Sequence, residues 1–299
     1  DRLNKNGYNS MTFDLRRPPT TWVGSFPTCD THRMPECAAP LAVIGVLSAD
    51  AAAVVDSRHE GYARMCGVAF WRMMPTERRY RMIEAAGLDH AWLANIFSYD
   101  AITTLALMGQ ETSRIRLGTA VTPTFPRHPT AIAQQAMTVA ASSNNRFTLG
   151  IGLSHKVVIE DMLGLSYGKP IRHMREYLEV LMPLIKGETV NHDGEEYKVN
   201  GFALDIPGVE SLPVVVAALG PQMLKLTAEL ADGTNTWMVG PKTMEEHIMP
   251  CFEASGNYSP EIVAGMPIVL TNNIDHAKES IGKSLAVYGQ LPSYRAMLD

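Results

Sequence analysis

Two glycines precede a serine and a histidine in the segment RFTLGIGLSH, residues 146–155. The residues from Phe147 onward are typical of a β-strand, and Gly150 and Gly152 stand where that strand should end. Glycine weakens a strand because it adds no packed side chain and loses much backbone entropy on folding. Either a bulge or tight turn ends the strand here, or a bound molecule lies flat against the backbone beside His155.

The ends of other predicted strands also carry small residues and prolines. Gly220-Pro221 is the most suitable phosphate cradle among them, because glycine lets an anion approach the backbone and proline suits the first helical position. Free N–H groups and the positive end of a helix dipole would then face the phosphate. An ordinary strand-to-helix turn uses the same two residues, so that alternative stays open. The strand ends are LANIFSYD (93–100), LGTAVTPTFPRHP (117–129), LGIGLSH (149–155), VAALGPQM (216–223) and WMVGPK (237–242).

Two histidines, His128 and His155, follow predicted strands. A histidine in such a place is more often a hydrogen-bonded surface residue than a ligand contact. Neither has a second His, Cys or carboxylate at metal-ligand spacing, so we predict no metal site. The chain contains no G-x-S-x-G motif, and a hydrolase nucleophile elbow is therefore unsupported.

Composition limits the classes of function. The chain has 299 residues, of which 46% are hydrophobic, enough for one large core. Its formal net charge of -5 gives no support to a nucleic-acid partner, and no apolar run is long enough to span a bilayer. Nothing at the start resembles a signal peptide. The cysteines form no C-x-x-C pair, which favours reduced thiols in a cytoplasmic protein. They are Cys29, Cys37, Cys66 and Cys251.

Strands and helices alternate six times from about residue 75 onward. This order requires parallel pairing with right-handed crossovers, which fits an open doubly wound sheet or a closed barrel. The regular spacing and the absence of G-x-G-x-x-G in the first unit favour a (β/α)₈ TIM barrel. A hairpin with Asp193-Gly194 at its turn interrupts the alternation. The strands are expected at 90–96, 114–121, 147–153, 212–219, 234–240 and 261–272.

We divide the chain into an N-terminal segment, 1–75, and a barrel domain, 76–299. The first segment is dense in turn residues and has no clear periodicity. Only LAVIGVLSA, residues 41–49, is typical of a buried strand, and it is a candidate for the first barrel strand.

Long motifs in the second zone resemble the bacterial luciferase-like superfamily, in its branch that uses the deazaflavin coenzyme F420. The resemblance covers residues 82–299 and implies a TIM barrel that binds a flavin or deazaflavin at its strand ends. Family members continue past YRAMLD, so the barrel is expected to be incomplete at its first and last strands. The motifs are AAGLDHAWLANIFSYDAITTLALMGQETSRIRLGTAVTPTFPRHPTAIAQQAMTVAASSNNRFTLGIGLSH, DMLGLSYGKPIRHMREYLEVLMPLI, VVVAALGPQMLKLTAELADGTNTWMVGP and AVYGQLPSYRAML.

The resemblance also implies roles for individual residues. The bond between Ala120 and Val121 matches a non-proline cis peptide that lies against the back of the cofactor ring. The strand ending in GIG would pass beside the cofactor, and the GP turns would hold its phosphate. The cofactor-lining residues implied are Gly152, Leu153, Ser154 and His155, and those of the phosphate end are Gly220 and Pro221, with Gly240 and Lys242 as weaker candidates.

The sequence departs from the family pattern at one chemical position. Some relatives carry an Asp-His pair after the second strand, where this chain has Asn95 and Ile96. The departure argues against sugar-phosphate dehydrogenation and leaves Asn95 and His155 as catalytic candidates, with Tyr99 as a further polar group.

We therefore expect an oxidoreductase that moves a hydride between coenzyme F420 and an unidentified small organic molecule. The alternatives are an FMN-dependent luciferase-like monooxygenase and a non-catalytic or truncated cofactor-binding protein. Substrate specificity is expected from the loops 155–172 and 189–212. A homodimer is a further expectation.

Overall fold

The structure is a computed structural model. It describes residues 88–267 apart from 98 and 210, together with the strand backbones 41–47 and 67–69. Beyond these it describes positions 81, 84, 275, 278, 279, 282, 285, 286, 288–291, 294 and 295. The remainder of the N-terminal segment, including Cys29, Cys37 and Cys66, lies outside the described residues, as does most of the helix predicted over 275–289.

One sheet of nine strands forms the framework. The strands are β1 (Leu41–Leu47), β2 (Gly67–Ala69), β3 (His90–Leu93), β4 (Arg116–Thr119), β5 (Thr122–Pro123), β6 (Phe147–Gly152), β9 (Val214–Ala217), β10 (Gly233–Trp237) and β11 (Glu261–Pro267). Strands β7 (Val190–Asp193) and β8 (Lys198–Phe202) form a separate antiparallel hairpin. The predicted hairpin is confirmed, with Gly194 N–H donating to the carbonyl of Tyr197 across the turn.

The order of the strands confirms the predicted topology. The sheet runs β2–β1–β11–β10–β9–β6–β4–β3, with β5 paired to β6, and every described pairing in it is parallel. The six predicted strands are thus neighbours in chain order. Strand β1 adds to β11, β2 adds to β1, and β2 lies against β3 at the opposite end of the path. The sheet is therefore curled in the manner of a TIM barrel, with no ladder between β2 and β3 among the described residues.

Local sequence determines where the helices begin. Asp100 caps the helix Ala101–Glu111 by accepting a hydrogen bond from the amide of Thr103 at 2.8 Å. Proline occupies the first turn of the next three helices, where its missing N–H costs nothing. Gly187, at φ +74°, follows the end of the third helix. The helices are α1 (Ala101–Glu111), α2 (Pro129–Ser142), α3 (Pro170–Ile185) and α4 (Pro221–Leu230).

A further helical run follows β10. It consists of Pro241–Thr243, a π-helical piece Met244–Ile248, and Met249–Ala254. The sequence predicts one regular helix here, and the structure instead places a wide turn in its middle.

The two faces of the sheet bury different kinds of residue. Outward-facing side chains pack under the helices and are large, among them Leu117, Phe147, Leu149, Val214 and Val216. The inward face is sparse: Trp92, Val215 and Val263 form a small cluster against which Ala120 packs. Trp92 lies over Gly118, where a Cβ atom would stand 2.2 Å from its ring. At the end of β10 the ring of Trp237 covers Gly265 in the same way.

Within the part of the chain that the structure describes, no helix is long and apolar enough to cross a membrane. The same described residues hold no group of three or more His, Cys, Asp or Glu side chains placed to bind a metal ion.

Candidate functional site

The carboxyl ends of β6, β9 and β10 meet at one edge of the sheet. Gly152 is the last residue of β6, and Gly220 follows the neighbouring parallel strand β9. Gly240 follows β10 at the same edge. The predicted placement of Gly152 and Gly220 at one end of the sheet is confirmed.

The β4–β5 segment breaks its ladder at this edge. Strand β4 ends at Thr119, the bond between Ala120 and Val121 is cis, and β5 resumes at Thr122. The cis bond agrees with the expectation from the family resemblance. The amide of Ala120 donates to the carbonyl of Leu93 at 2.8 Å, which holds the break against β3. The predicted continuous strand through Val121 is thus two short pieces, because the chain changes direction between them.

This break accounts for the two glycines of the GIG motif. A Cβ atom on Gly150 would lie 1.8 Å from the carbonyl oxygen of Thr119. On Gly152 it would lie 2.7 Å from a methyl group of Val121 and 3.1 Å from the Cβ of Ala217. The sequence left open a bulge or tight turn and a bound molecule, and neither is needed to explain the two glycines. Atoms of Thr119, Val121 and Ala217 already occupy the space that their side chains would need.

The turn after β6 points its backbone and one histidine towards this edge. Leu153 is half-buried against the outer core, and Ser154 has φ +64°. Met238, after β10, has φ +60°. Non-glycine residues adopt this region infrequently, and when they do they often lie at binding sites.

His155 lies between two chain segments. Its half-buried ring contacts Tyr288 and Tyr294, with ring centroids 6.5 and 6.2 Å apart. Tyr288 also lies 6.3 Å from Trp237, the last residue of β10. Burial lowers the pKa of His155 from its ordinary value, so its imidazole is neutral at pH 7. The two tyrosines thus bridge the edge from β6 to β10.

Gly220 and Gly240 occupy a different environment from Gly150 and Gly152. A Cβ atom on either would meet nothing within 4 Å. Each is extended, at φ -75° and -76°, and each is followed by a proline that starts a helix. An anion could therefore reach the backbone N–H groups at both positions.

The two helix starts differ in charge. The first turn of α4 after Pro221 contains no acidic residue. The run after Gly240 carries Glu245 and Glu246, and Glu246 pairs with Lys242 at 3.8 Å. The Gly220 start is therefore the better anion site, because no carboxylate competes with the anion there.

Asn95, the other catalytic candidate beside His155, already has a local role. Its Oδ1 accepts a hydrogen bond from the amide of Ala101 at 3.0 Å and so holds the start of α1. Ile96 and Tyr99 beside it are 44% and 52% exposed. Strands β3 and β6 lie on either side of β4, so Asn95 and His155 stand at the same edge without being neighbours.

Sequence reasoning missed a buried cluster behind the edge. His173, on the first turn of α3, is only 4% exposed and contacts Thr124, Phe125 and Tyr197. The signal was present, since a histidine stands on the apolar stripe of the amphipathic segment RHMREYLEVL. Its partners come from two other segments, the stretch after β5 and the β7–β8 hairpin, and the helical pattern does not reveal them.

Two known proteins are similar to this chain in sequence. The chain is 36% identical over 170 residues to a 5,10-methylenetetrahydromethanopterin reductase of Archaeoglobus fulgidus, a match that covers 55% of this chain and 49% of that protein. It therefore spans about half the length of that relative. It is 30% identical over 244 residues to a Mycobacterium tuberculosis protein provisionally named a coenzyme F420-dependent oxidoreductase, covering 74% of this chain and 70% of that one.

Solved structures share the fold. The F420-dependent tetrahydromethanopterin reductase of Methanopyrus kandleri superposes with a TM-score of 0.55 at 23% identity, over 75% of this chain and 64% of that one. An FMN-bound type II Baeyer-Villiger monooxygenase of Pseudomonas putida gives a TM-score of 0.55 at 16% identity, over 71% of this chain and 66% of that one. The family model described as luciferase-like monooxygenase matches residues 72–299. Since that match takes in most of the sequence, the chain belongs to the luciferase-like monooxygenase family.

Proposed function

We propose that this chain is an oxidoreductase that transfers a hydride between coenzyme F420 and a small organic substrate. The observation that carries the proposal is the open Gly220-Pro221 helix start, beside the ends of β6 and β9, which carry the small residues Gly152 and Ala217. The Mycobacterium tuberculosis relative, which is named for F420, favours this cofactor over FMN. The FMN-bound structural neighbour shares only the fold with this chain. An FMN-dependent monooxygenase is therefore the alternative function, and the titration below distinguishes the two.

The residues present fit a planar ring that bears a phosphate. Ala120 is half-buried and packs on Trp92, Val215 and Val263, which form an apolar floor at the edge of the sheet. A small side chain at that point leaves room above the floor for a ring. The open Cβ position at Gly220 supplies the approach that a phosphate needs.

Different residues of the chain would contact the ring and the phosphate of the cofactor. Ala120 and Val121 would back the ring, while Gly152, Leu153, Ser154 and His155 would line its side. Gly220, Pro221 and the amides that follow would hold the phosphate, with Gly240 as the secondary contact. When bound, the deazaflavin supplies a two-electron hydride carrier, and the protein's part is to bind it, orient it and exclude water.

His155 is the better of the two catalytic candidates for holding a proton. An amide such as Asn95 does not titrate near neutral pH, and its oxygen is already engaged by Ala101. The imidazole of His155 is neutral because of burial and can accept a proton on a ring nitrogen. We assign Asn95 to positioning the start of α1 and His155 to proton exchange with the substrate.

An anaerobic titration tests the proposal. The protein is titrated with F420 and separately with FMN, and binding is followed by absorbance and fluorescence. We expect F420 to bind more tightly than FMN. Tighter FMN binding, with rapid reoxidation of the reduced flavin in air, would establish the monooxygenase reading instead. Tight F420 binding without turnover on any acceptor would identify a non-catalytic binder.

The remaining expectations stay predictions. They are the cytoplasmic location, the homodimer, the lack of a nucleic-acid partner, and the boundary between residues 75 and 76. The substrate also stays unidentified beyond its class.

A further inference from the structure

His173 has both ring nitrogens engaged in a site closed to solvent. Its Nε2 lies 2.9 Å from Oγ1 of Thr124, and its Nδ1 lies 3.3 Å from the hydroxyl of Tyr197. The ring stacks on Phe125 with centroids 3.9 Å apart and an interplanar angle of 15°. One side chain of α3 is thus held by the segment after β5 and by the β7–β8 hairpin.

The partners of His173 reach the turn after β6 by two routes. The amide of Thr124 donates to the carbonyl of Gly152 at 2.9 Å. Phe125 contacts Tyr167 with centroids 5.0 Å apart, and the hydroxyl of Tyr167 donates to the carbonyl of Ser154 at 3.3 Å. The two carbonyl groups that bracket Leu153 are therefore both held from this side.

The β7–β8 hairpin is hydrogen-bonded to α3, so the position of the hairpin is fixed relative to that helix. The carboxylate of Glu176 accepts hydrogen bonds from three successive amides at the hairpin turn. A Cβ atom on Gly194 would lie 2.0 Å from that carboxylate, which shows how closely the turn approaches α3. Tyr197 follows directly and reaches His173 from this anchored turn.

We propose that His173 is a positioning residue that holds the 152–155 turn in place and makes the β7–β8 hairpin a structural part of the cofactor site. The part of this inference that concerns the cofactor rests on the proposed function. Its consequence is that the two loops expected to carry specificity, 155–172 and 189–212, do not act independently. Tyr167 belongs to one and Tyr197 to the other, and His173 joins them.

The ionisation state of His173 agrees with this role. Burial lowers its pKa to about 4, although the carboxylates of Glu176 and Glu196 act in the opposite direction. The other titratable side chains packed on it are Tyr177 and Tyr197, and burial raises the pKa of both hydroxyls. All three groups are therefore uncharged at neutral pH. A neutral imidazole donates from one nitrogen and accepts at the other, which orders both hydroxyl partners.

Two threonines on the same segment offer a matched test. Thr124 and Thr122 are both fully buried, but only Thr124 has a partner, since Oγ1 of Thr122 makes no hydrogen bond. Thr124→Val removes the hydrogen bond to His173, and Thr122→Val removes an equally buried hydroxyl that makes no hydrogen bond. Hydrogen exchange reads the amide of Thr124, and also those of Val158 and Ile159, which are bonded to the carbonyl of His155.

We expect faster exchange at these amides in Thr124→Val and in His173→Phe, and unchanged exchange in Thr122→Val. His173→Phe keeps a ring to stack on Phe125 and loses both hydrogen bonds. Tyr177→Phe is its control, because the hydroxyl of Tyr177 is buried without a partner. His173→Gln should restore part of the protection, since its amide can still bond Thr124.

The F420 titration provides the second readout. Thr124→Val should weaken F420 binding about tenfold, as expected for one lost hydrogen bond. It should also melt at a lower temperature than Thr122→Val, because it leaves Nε2 of His173 buried without its partner. Equal exchange in the two threonine variants overturns the positioning role. Faster exchange with unchanged F420 affinity overturns its connection to the cofactor. A wild-type protein that binds no F420 overturns the proposed function, and with it the cofactor part of this proposal, while the exchange data still decide the positioning part.

Discussion

The side-chain hydroxyl of Thr119 makes the two hydrogen bonds to the backbone of Gly150 that a neighbouring strand would otherwise make. It donates to the carbonyl of Gly150 at 2.7 Å and accepts from the amide of the same residue at 2.8 Å. Alternate residues of a parallel strand bond to opposite neighbours, and Leu149 bonds to the β9 side through Pro213. Gly150 therefore faces the gap that opens where β4 breaks, and a side chain closes that gap.

Thr119→Val should lower the free energy of unfolding by roughly 2–5 kcal/mol. Valine has nearly the same shape, but it leaves the buried amide and carbonyl of Gly150 without partners, at about 1–3 kcal/mol for each. Urea unfolding followed by circular dichroism measures the change. Thr119→Ser should recover most of the loss, because serine keeps the hydroxyl.

Thr122→Val is the control for that substitution. Thr122 is also fully buried, but its hydroxyl makes no hydrogen bond, so its removal should be neutral or stabilising. If both valine variants lost the same stability, the hydroxyl of Thr119 would not be bridging the ladder.

Gly220→Val should weaken binding of F420 by about ten- to a hundredfold, because each charge-assisted bond to a phosphate contributes about 1.5–3 kcal/mol. Its Cβ would meet no protein atom within 4 Å, so the fold should tolerate the change. A deazariboflavin that lacks the phosphate should keep most of its affinity. Equilibrium titration of both ligands measures the difference.

Gly240→Val is the matched variant for the phosphate site, since it has the same backbone geometry and the same open Cβ position. We expect a smaller loss there, because Glu245 and Glu246 make this helix start less suitable for an anion. Equal losses of the two ligands in Gly220→Val would mean that Gly220 acts through the fold. The phosphate would then be assigned to Gly240 and Lys242.

Ala120→Leu should weaken cofactor binding more than it lowers the melting temperature. Ala120 is half-buried on the floor formed by Trp92, Val215 and Val263, so a leucine would project into the space above it. Parallel measurements of F420 affinity and thermal unfolding test this. An unchanged affinity would place the ring elsewhere.

His173 should make the stability of the protein depend on pH below neutrality. Its folded pKa of about 4 lies below the unfolded value of 6.5, so its contribution is complete above pH 6.5 and is lost as the pH falls towards 4. Between pH 7 and pH 5 the wild type should lose about 2 kcal/mol of unfolding free energy through this group. Urea unfolding of the wild type and His173→Phe at both pH values measures the difference, since the variant lacks this loss. If the unfolding free energy changed equally with pH in the two proteins, the ring of His173 would be accessible to protons in the folded state.

Local patterns predicted the framework well. The cap at Asp100, the prolines at helix starts and the glycine after α3 act within a few residues, so the sequence alone reveals them. Strand order followed from the alternation of strands with helices, because parallel neighbours require crossovers. The cis bond at Ala120 was available only from the family resemblance.

Contacts between distant segments could not be predicted in the same way. Gly150 is glycine because of Thr119, and the reason lies in how another strand ends. His173 meets Thr124 and Tyr197 only after two crossovers have formed, and no periodicity connects the three. The same limit explains why the GIG motif left a tight turn and a bound molecule as alternatives, when atoms of neighbouring strands fill the space.

The adjacent helix starts imply a particular response to ionic strength. His247, in the run after Gly240, lies with its Nε2 3.1 Å from the carbonyl of Leu219, which joins that run to the turn before α4. Lys242, in the run after Gly240, already pairs with Glu246 in an exposed position. A phosphate held at Gly220 would depend on backbone amides in direct contact, which dissolved salt screens little, whereas charges beyond the Debye length of about 8 Å are screened strongly. Cofactor affinity should therefore persist at salt concentrations that would abolish capture by lysine side chains.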